Sequence, residues 1–330
     1  MNLLPALGCG AFVAMAEPVA IVVLRRLAAI DVPNLRSSHS VPTPRGGGAP
    51  IVIGLVAVAL LMHSAVALTF AVALTAFGAI GFADDLFALR ATVRLGLQGT
   101  ASFGVAFLLL HRPGMGASAL LLAAVGIALW LISFVNAFNF MDGINGISGT
   151  HALIGGAFYA LLGAWRGDVL VLAMGAAVAA SGLGFLPWNA GRARIFLGDV
   201  GSYGLGAGLA LLAVCSLIHG IAPEAALAPL ALYLADTGWT LLGRIRSGEN
   251  WLEPHRQHAY QRLCDVGWSH QRVTAATAAT TLLLCVLGTA SLTDRPVLRA
   301  AADLCGLAVL AVYLRSPALL ARTVSLPEAA

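Results

Sequence analysis

Apolar stretches of about 20 residues, the length a helix needs to cross a bilayer, recur from one end of this chain to the other. No other feature restricts the fold as much. In lipid every backbone N–H and C=O must find its partner inside the protein, which leaves helices and closed barrels. A barrel would show alternating segments of roughly 10 residues, and the sequence has none. The chain therefore reads as an all-α, polytopic transmembrane helical bundle. Composition agrees, with 59% hydrophobic and 10% charged residues over 330 positions, where a soluble domain carries about 25% charge.

Apolar length places spans near 3–24, 47–63, 65–83, 93–110, 118–136, 148–165, 169–187, 201–219, 223–243, 272–291 and 297–314, about eleven in one domain covering 1–330. Only His63-Ser64 separates the second from the third. The first has no positive charge ahead of it and Arg25-Arg26 behind it, the reverse of a cleavable signal peptide. It reads as a retained helix with its N-terminus outside. Alternation then assigns 25–46, 84–92, 137–147, 188–200, 244–271 and the tail from Arg315 to the cytoplasm, including the C-terminus. Fifteen arginines lie in or beside those segments and four on the other side, as the positive-inside rule requires. All 19 basic residues are arginine and no basic stripe forms, which argues against nucleic acid as a partner. The five cysteines make no CxxC pair and suggest neither a disulfide framework nor a cysteine metal site.

The same alternation sorts the polar residues. The outer loops are short and plain, while the inner ones hold the Asp, Asn and His clusters. In the segment 31–48, Gly46-Gly47-Gly48 is either a phosphate cradle offering backbone N–H groups or a turn that feeds a helix. Arg36, His39 and Arg45 beside it are possible charge-assisted donors. Asp84-Asp85 closes an apolar run; two adjacent carboxylates repel unless a cation lies between them, but a helix leaving the membrane can also end this way. Asn139, Asp142 and Asn145 share one face if the helix continues through them, which suits a metal or a nucleotide edge. Asp199, framed by Gly198 and Gly201, is a metal ligand or a helix N-cap. His255, His258 and Arg262 fall on one face of a helix begun at Pro254, a cation-rich surface that fits phosphate better than zinc. Asp236, inside the ninth span, takes Arg244 as its candidate partner. Asp303 follows Arg299 by four residues as a simple helix pair. Glu17, beside Pro18 in the first span, has no evident role.

Together the motifs DVPNLRSSHSVPTPRGGG, GFADD, NAFNFMDGINGI, FLGDVGS and EPHRQHAYQRL resemble those of the polyprenyl-phosphate N-acetylhexosamine-1-phosphate transferases, glycosyltransferase family 4, from about Asp31 to Thr274. HRQHAYQRL and SHQRVT look most like the branch that starts O-antigen and related surface polysaccharides. The resemblance implies a magnesium-dependent enzyme, with manganese as an alternative ion, in the bacterial inner membrane. Its partners would be a UDP-sugar, undecaprenyl phosphate and the bilayer; the sugar and the oligomeric state stay open. It implies Asp199 as principal metal ligand with Asp142, and Asp84 as the residue that deprotonates or orients the lipid phosphate, supported by Asp85. Asn139, His255, His258, Arg262, His39 and Arg45 would bind substrate. Three positions depart from the family pattern. Asn145 stands where a second aspartate is common, Arg90 and Arg94 stand near positions usually held by lysine, and the run of consecutive histidines of the peptidoglycan branch is reduced to His255 and His258.

Two other classes fit less well. A transporter of an anionic substrate would place its acids near the midplane, and here they crowd one face. A CDP-alcohol phosphotransferase would need an arginine after Asp142-Gly143 that the sequence lacks.

Overall fold

The computed structural model describes residues 3–33, 41–110, 116–250, 253 and 255–324. Among them the chain forms thirteen α-helices: α1 (Leu4–Arg26), α2 (Gly48–Leu61), α3 (Ala65–Phe87), α4 (Ala91–Leu110), α5 (Ala117–Met141), α6 (Ile147–Arg166), α7 (Val169–Asn189), α8 (Gly198–Ile218), α9 (Pro223–Leu227), α10 (Ala231–Arg246), α11 (Ala259–Asp265), α12 (His270–Gly288) and α13 (Pro296–Val324). Among the described residues ten helical segments are long and apolar enough to cross a membrane, with α9 and α10 joined by a 3-10 turn into one of them. This is a multi-pass membrane protein.

The eleventh expected span, 47–63, is the one that differs. It forms α2, whose 14 residues reach about 21 Å at 1.5 Å per residue, short of a hydrocarbon core about 30 Å thick. Apolar length also underestimates where helices end. α3 runs to Phe87, α5 to Met141, and α8 starts at Gly198, so the polar motifs expected in loops ride on terminal helical turns. Helical hydrogen bonding continues past the point where side chains turn polar. Among the described residues the one sheet is a short antiparallel ladder between β1 (Ile30–Asp31) and β2 (Thr43–Pro44), with Ile30 opposite Pro44 and Asp31 opposite Thr43.

α8 is the axis of the bundle, buried at every residue from Gly198 to Ser216. Its glycines and alanines let neighbouring backbones come close, the usual way membrane helices associate where lipid removes the hydrophobic drive. α3, α5 and α2 pack around it, and α1 lies on α7. The periphery carries Leu4, Leu7, Met15, Leu304, Leu307 and Val312 exposed, the expected surface against acyl chains. In α13 Arg299 does not pair with Asp303 as the spacing suggested. Its Nε donates to Glu224 at the start of α9, 2.7 Å away, because that contact crosses between helices and completes their packing.

Candidate active site

Two helix ends meet at one end of the bundle. Asp84 and Asp85 occupy the last turn of α3, and Asp199 the first turn of α8. The approach is possible because Gly81 faces α8 without a side chain: a Cβ there would lie 2.1 Å from the Asp199 carbonyl oxygen. Gly48 meets Gly201 in the same way, its Cβ falling 2.0 Å from the Gly201 Cα. The glycine run therefore serves close packing. Its N–H groups are already spent, since Gly46 and Gly47 donate to the Phe196 carbonyl and Gly48 to that of Leu197. The phosphate-cradle alternative fails for these three. A parallel bridge between Arg45 and Phe196, in which Phe196 N–H donates to the Pro44 carbonyl at 2.8 Å, delivers Arg45 to the acidic cluster.

Arg45 bridges two carboxylates, with Nε 2.7 Å from Asp85 Oδ1 and Nη2 2.6 Å from Asp199 Oδ1. Burial opposes its charge, but Asp199 and Asp85 overcome that and hold the guanidinium above its ordinary value. Asp85 also accepts the backbone N–H groups of Asp199 (2.8 Å) and Val200 (3.0 Å), a carboxylate set on the positive end of α8. Asp84 accepts from the Leu89 N–H (2.8 Å), Arg94 Nη1 (2.9 Å) and the Tyr203 hydroxyl (3.1 Å), and its carboxyl faces that of Asp199. Two arginines thus stand against three carboxylates, which leaves room for one more positive charge. Asn139 is tied in through its Oδ1, which accepts from Ser202 Oγ at 2.8 Å.

The helix does not continue through Asn145, so the shared face expected for Asn139, Asp142 and Asn145 is broken. α5 ends at Met141, Asp142 caps it, and a turn with Gly146 at φ 83° starts α6. Asp142 accepts from Ser148 Oγ at 2.6 Å. Burial pushes its carboxyl up to about 7 even though that hydrogen bond works the other way. Asn145 points elsewhere: its Nδ2 donates to the Gly191 carbonyl at 2.7 Å. A carboxylate there would lose the donor and face a carbonyl. Asn145→Asp is expected to cost about 1–3 kcal/mol, read as a lower melting temperature in detergent; an unchanged melting temperature would contradict this account.

The histidine segment also differs from expectation. The helix begins at Ala259, with His258 at its N-cap and His255 ahead of it in irregular chain, so His255, His258 and Arg262 do not share a helical face. The structure sets the two imidazoles beside each other instead, tilted by 39° with 5.0 Å between centroids, and stacks His258 on Phe140 at the end of α5. Tyr260 locks the arrangement by donating to the Phe140 carbonyl at 2.8 Å. Arg262 is exposed. Burial, then the neighbouring His258 and Arg244, push His255 down to about 4. It is neutral near pH 7 and offers hydrogen bonds, not the charge the sequence suggested. A base with a depressed folded value gives stability that is complete above about 6.5 and lost as pH falls through 4. His255→Gln is therefore expected to flatten the loss of melting temperature across that window. A wild-type slope in the variant would exclude His255 as its source. His39 lies outside the described residues.

Beside the cluster opens a cavity of about 1280 Å³, lined by Arg25, Arg192, Arg194, Arg256, Asn145 and His270 among others. Arg194 lies over the Trp188 ring at 5.5 Å, and Arg256 reaches Asp265 at 3.1 Å. Asn189 ties the start of α6 to the segment before α8, its Oδ1 accepting from Gly146 N–H and its Nδ2 donating to the Ile195 carbonyl. Sequence reasoning passed over Asn189, Tyr203 and the role of Arg94. Tyr203 follows Asp199 by four residues, one helical turn, and that spacing was the available signal. Among the described residues no three His, Cys, Asp or Glu side chains form a metal cage by themselves.

The sequence profile described as glycosyl transferase family 4 matches residues 67–217, which include Asp84, Asp85, Asn139, Asp142 and Asp199. The decaprenyl-phosphate N-acetylglucosaminephosphotransferase of Mycobacterium leprae is 32% identical over 76% of this chain and 74% of its own length. A probable undecaprenyl-phosphate N-acetylglucosaminyl 1-phosphate transferase of Bacillus subtilis is 31% identical, covering 78% and 76%. The phospho-N-acetylmuramoyl-pentapeptide-transferase of Geobacillus kaustophilus is 30% identical, covering 74% and 82%. With its acidic helix ends, its membrane spans and these relatives, the chain belongs to the polyprenyl-phosphate N-acetylhexosamine-1-phosphate transferases of glycosyl transferase family 4.

Proposed function

We propose that the protein transfers the sugar-1-phosphate of a UDP-N-acetylhexosamine, or a deoxy relative, to undecaprenyl phosphate, giving undecaprenyl-diphosphate-sugar and UMP. An oxygen of the lipid phosphate attacks the phosphorus nearest the sugar. The bond from that phosphorus to the bridging oxygen breaks, and UMP leaves with that oxygen and its electron pair. The step would begin surface-polysaccharide or O-antigen synthesis at the cytoplasmic face of the bacterial inner membrane, a placement supported by the arginine bias of the loops. The observation that carries the reading is an acidic cluster held by Arg45, next in the chain to Pro44, which with Phe196 lines an arginine-rich cavity roomy enough for a nucleotide-sugar. Transfer of this kind depends on positioning and charge neutralisation more than on covalent chemistry.

Each residue then has a task. Asp84 orients the lipid phosphate, with Arg94 and Tyr203 fixing its carboxyl. Asp85 holds the start of α8 and so places Asp199. Asn139 and Asp142 face the nucleotide side, and His255, His258 and Arg262 the diphosphate. Magnesium, when bound, would neutralise the diphosphate and polarise its oxygens. Two facing carboxylates, Asp84 and Asp199, suit an ion that takes hard oxygens and shares phosphate ligands while keeping waters, and they bring negative charges together that a cation would relieve. We assign the ion to Asp199 first, with Asp142 completing its surroundings.

The test uses purified protein with undecaprenyl phosphate, magnesium and a panel of UDP-N-acetylhexosamines that includes the muramoyl-pentapeptide donor, and measures UMP. Lipid-dependent release that EDTA stops and added magnesium restores is the expected result. Release from the muramoyl-pentapeptide donor alone would move the enzyme to peptidoglycan synthesis. No release from any donor, in folded protein, would overturn the reading.

A further inference from the structure

An ionised side chain inside a membrane helix is costly and calls for a partner. Asp236 lies within α10 and is fully buried. Sequence spacing offered Arg244, but Arg244 turns away, its Nη1 2.8 Å from Glu249 and its Nη2 donating to the Asn250 carbonyl. What Asp236 grips is the start of α11. Its Oδ1 accepts the Ala259 N–H at 2.9 Å and lies 3.3 Å from His258 Nδ1. Oδ1 already serves as acceptor for the Ala259 N–H, and an Nδ1–H aimed at the same oxygen matches that role. Nε2, across the ring, is directed away from Asp236. The His258 ring is itself 3% exposed and is flanked by His255 and by Phe140, the neighbour of Asn139.

We propose that Asp236 is a positioning residue for the transfer: it fixes the His258 imidazole with Nδ1 protonated and Nε2 presented at the end of α5, where the donor diphosphate lies. This rests on the reading that His258 meets that diphosphate. Carboxylate–imidazole pairs set both the tautomer and the ring orientation, and elsewhere the loss of such a partner costs about 10–100-fold. The Ala259 bond gives the carboxylate a second task, closing one of the orphan N–H groups of a helix start. The two tasks are separable by experiment.

Asp236→Ala, His258→Asn and the double variant are compared by kcat/KM for UMP release, alongside the histidine-ring nitrogen NMR spectrum of wild-type protein, with His258 identified by its absence in His258→Asn. We expect each single change to lower kcat/KM about 10–100-fold and the double variant to be no worse than His258→Asn alone, with Asp236→Glu recovering part of the loss. The neutral His258 ring is expected to carry its proton on Nδ1. Additive losses in the double variant, or a wild-type ring protonated on Nε2 alone, would overturn the proposal. The spectrum needs no substrate and no folded variant at Asp236. If wild-type protein released no UMP with any donor, the donor reading would fail while the ring spectrum still decided the pair.

Discussion

Asp199→Asn is expected to reduce lipid-dependent UMP release by about 10²–10³-fold, the usual loss when one preorganised electrostatic group is removed from a reaction centre, in protein that still folds. Asparagine keeps the volume and one acceptor oxygen, so Arg45 Nη2 retains a neutral partner where it now has a carboxylate at 2.6 Å. What disappears is the charge. Of the three acids at the site, Asp85 is occupied by two backbone N–H groups and Arg45, and Asp84 by Arg94, Tyr203 and Leu89. Asp199 has Arg45 as its one side-chain donor among the described residues and faces Asp84 across the cluster. It is thus the acid whose charge the fold least consumes, and the reaction should feel its loss most. A variant that keeps more than about a tenth of the wild-type rate would sink the assignment, since electrostatic groups of this kind cost more than that. Circular dichroism and monodisperse elution would show that the fold is intact.

The second large effect comes from a methyl group. Gly81→Ala places a Cβ 2.1 Å from the Asp199 carbonyl oxygen and 2.3 Å from its carbonyl carbon. Both are backbone atoms of the central helix, so no rotamer can yield, and α3 must move away from α8. Overpacking a tight core costs about 1–3 kcal/mol, and a backbone collision belongs at or above the top of that range. The movement also draws Asp84 and Asp85 away from Asp199, so surviving protein should have little activity. Gly96→Ala in α4 is the control, because no atom lies within 4 Å of the new Cβ and alanine in a helix gains about 1 kcal/mol over glycine. Normal yield and activity in Gly81→Ala would mean that the α3–α8 crossing is looser than described.

Features that depend on length and composition were legible in the sequence, and those that depend on which atoms meet were not. Ten spans follow from apolar runs, and the acids at 84, 85, 142 and 199 stood out because charge is rare in such a chain. The glycine run at 46–48 was visible, but its N–H groups could not be seen to be spent on Phe196 and Leu197, some 150 residues away. His255 looked like a cation until burial and its neighbours made it neutral. Asp236 was recognised as unusual, but its partner lay in another segment, and helix spacing pointed to Arg244. Arg94 seemed out of register, whereas the left-handed Ala88 that ends α3 turns the chain so that its guanidinium reaches Asp84. Periodicity gives faces and lengths; loops that fold back on helix ends decide the site.

The shortness of α2 has a consequence for the acceptor. α2 and α3 are joined by a tight turn at one end, and α3 is 23 residues long against 14. At the other end α2 stops about 13 Å below the tip of its neighbour, at 1.5 Å per residue. The chain entering α2 therefore dips into the bundle and carries Arg45 with it, notching the protein's edge beside the acids. Bilayers thin locally around a hydrophobic segment shorter than their core, and thinning at that notch would bring headgroups and water down toward the acids. A polyprenyl phosphate can then present its phosphate at the acidic cluster while its tail stays dissolved in the membrane. Such an acceptor would not have to leave the lipid, because the water's edge would come down to meet it.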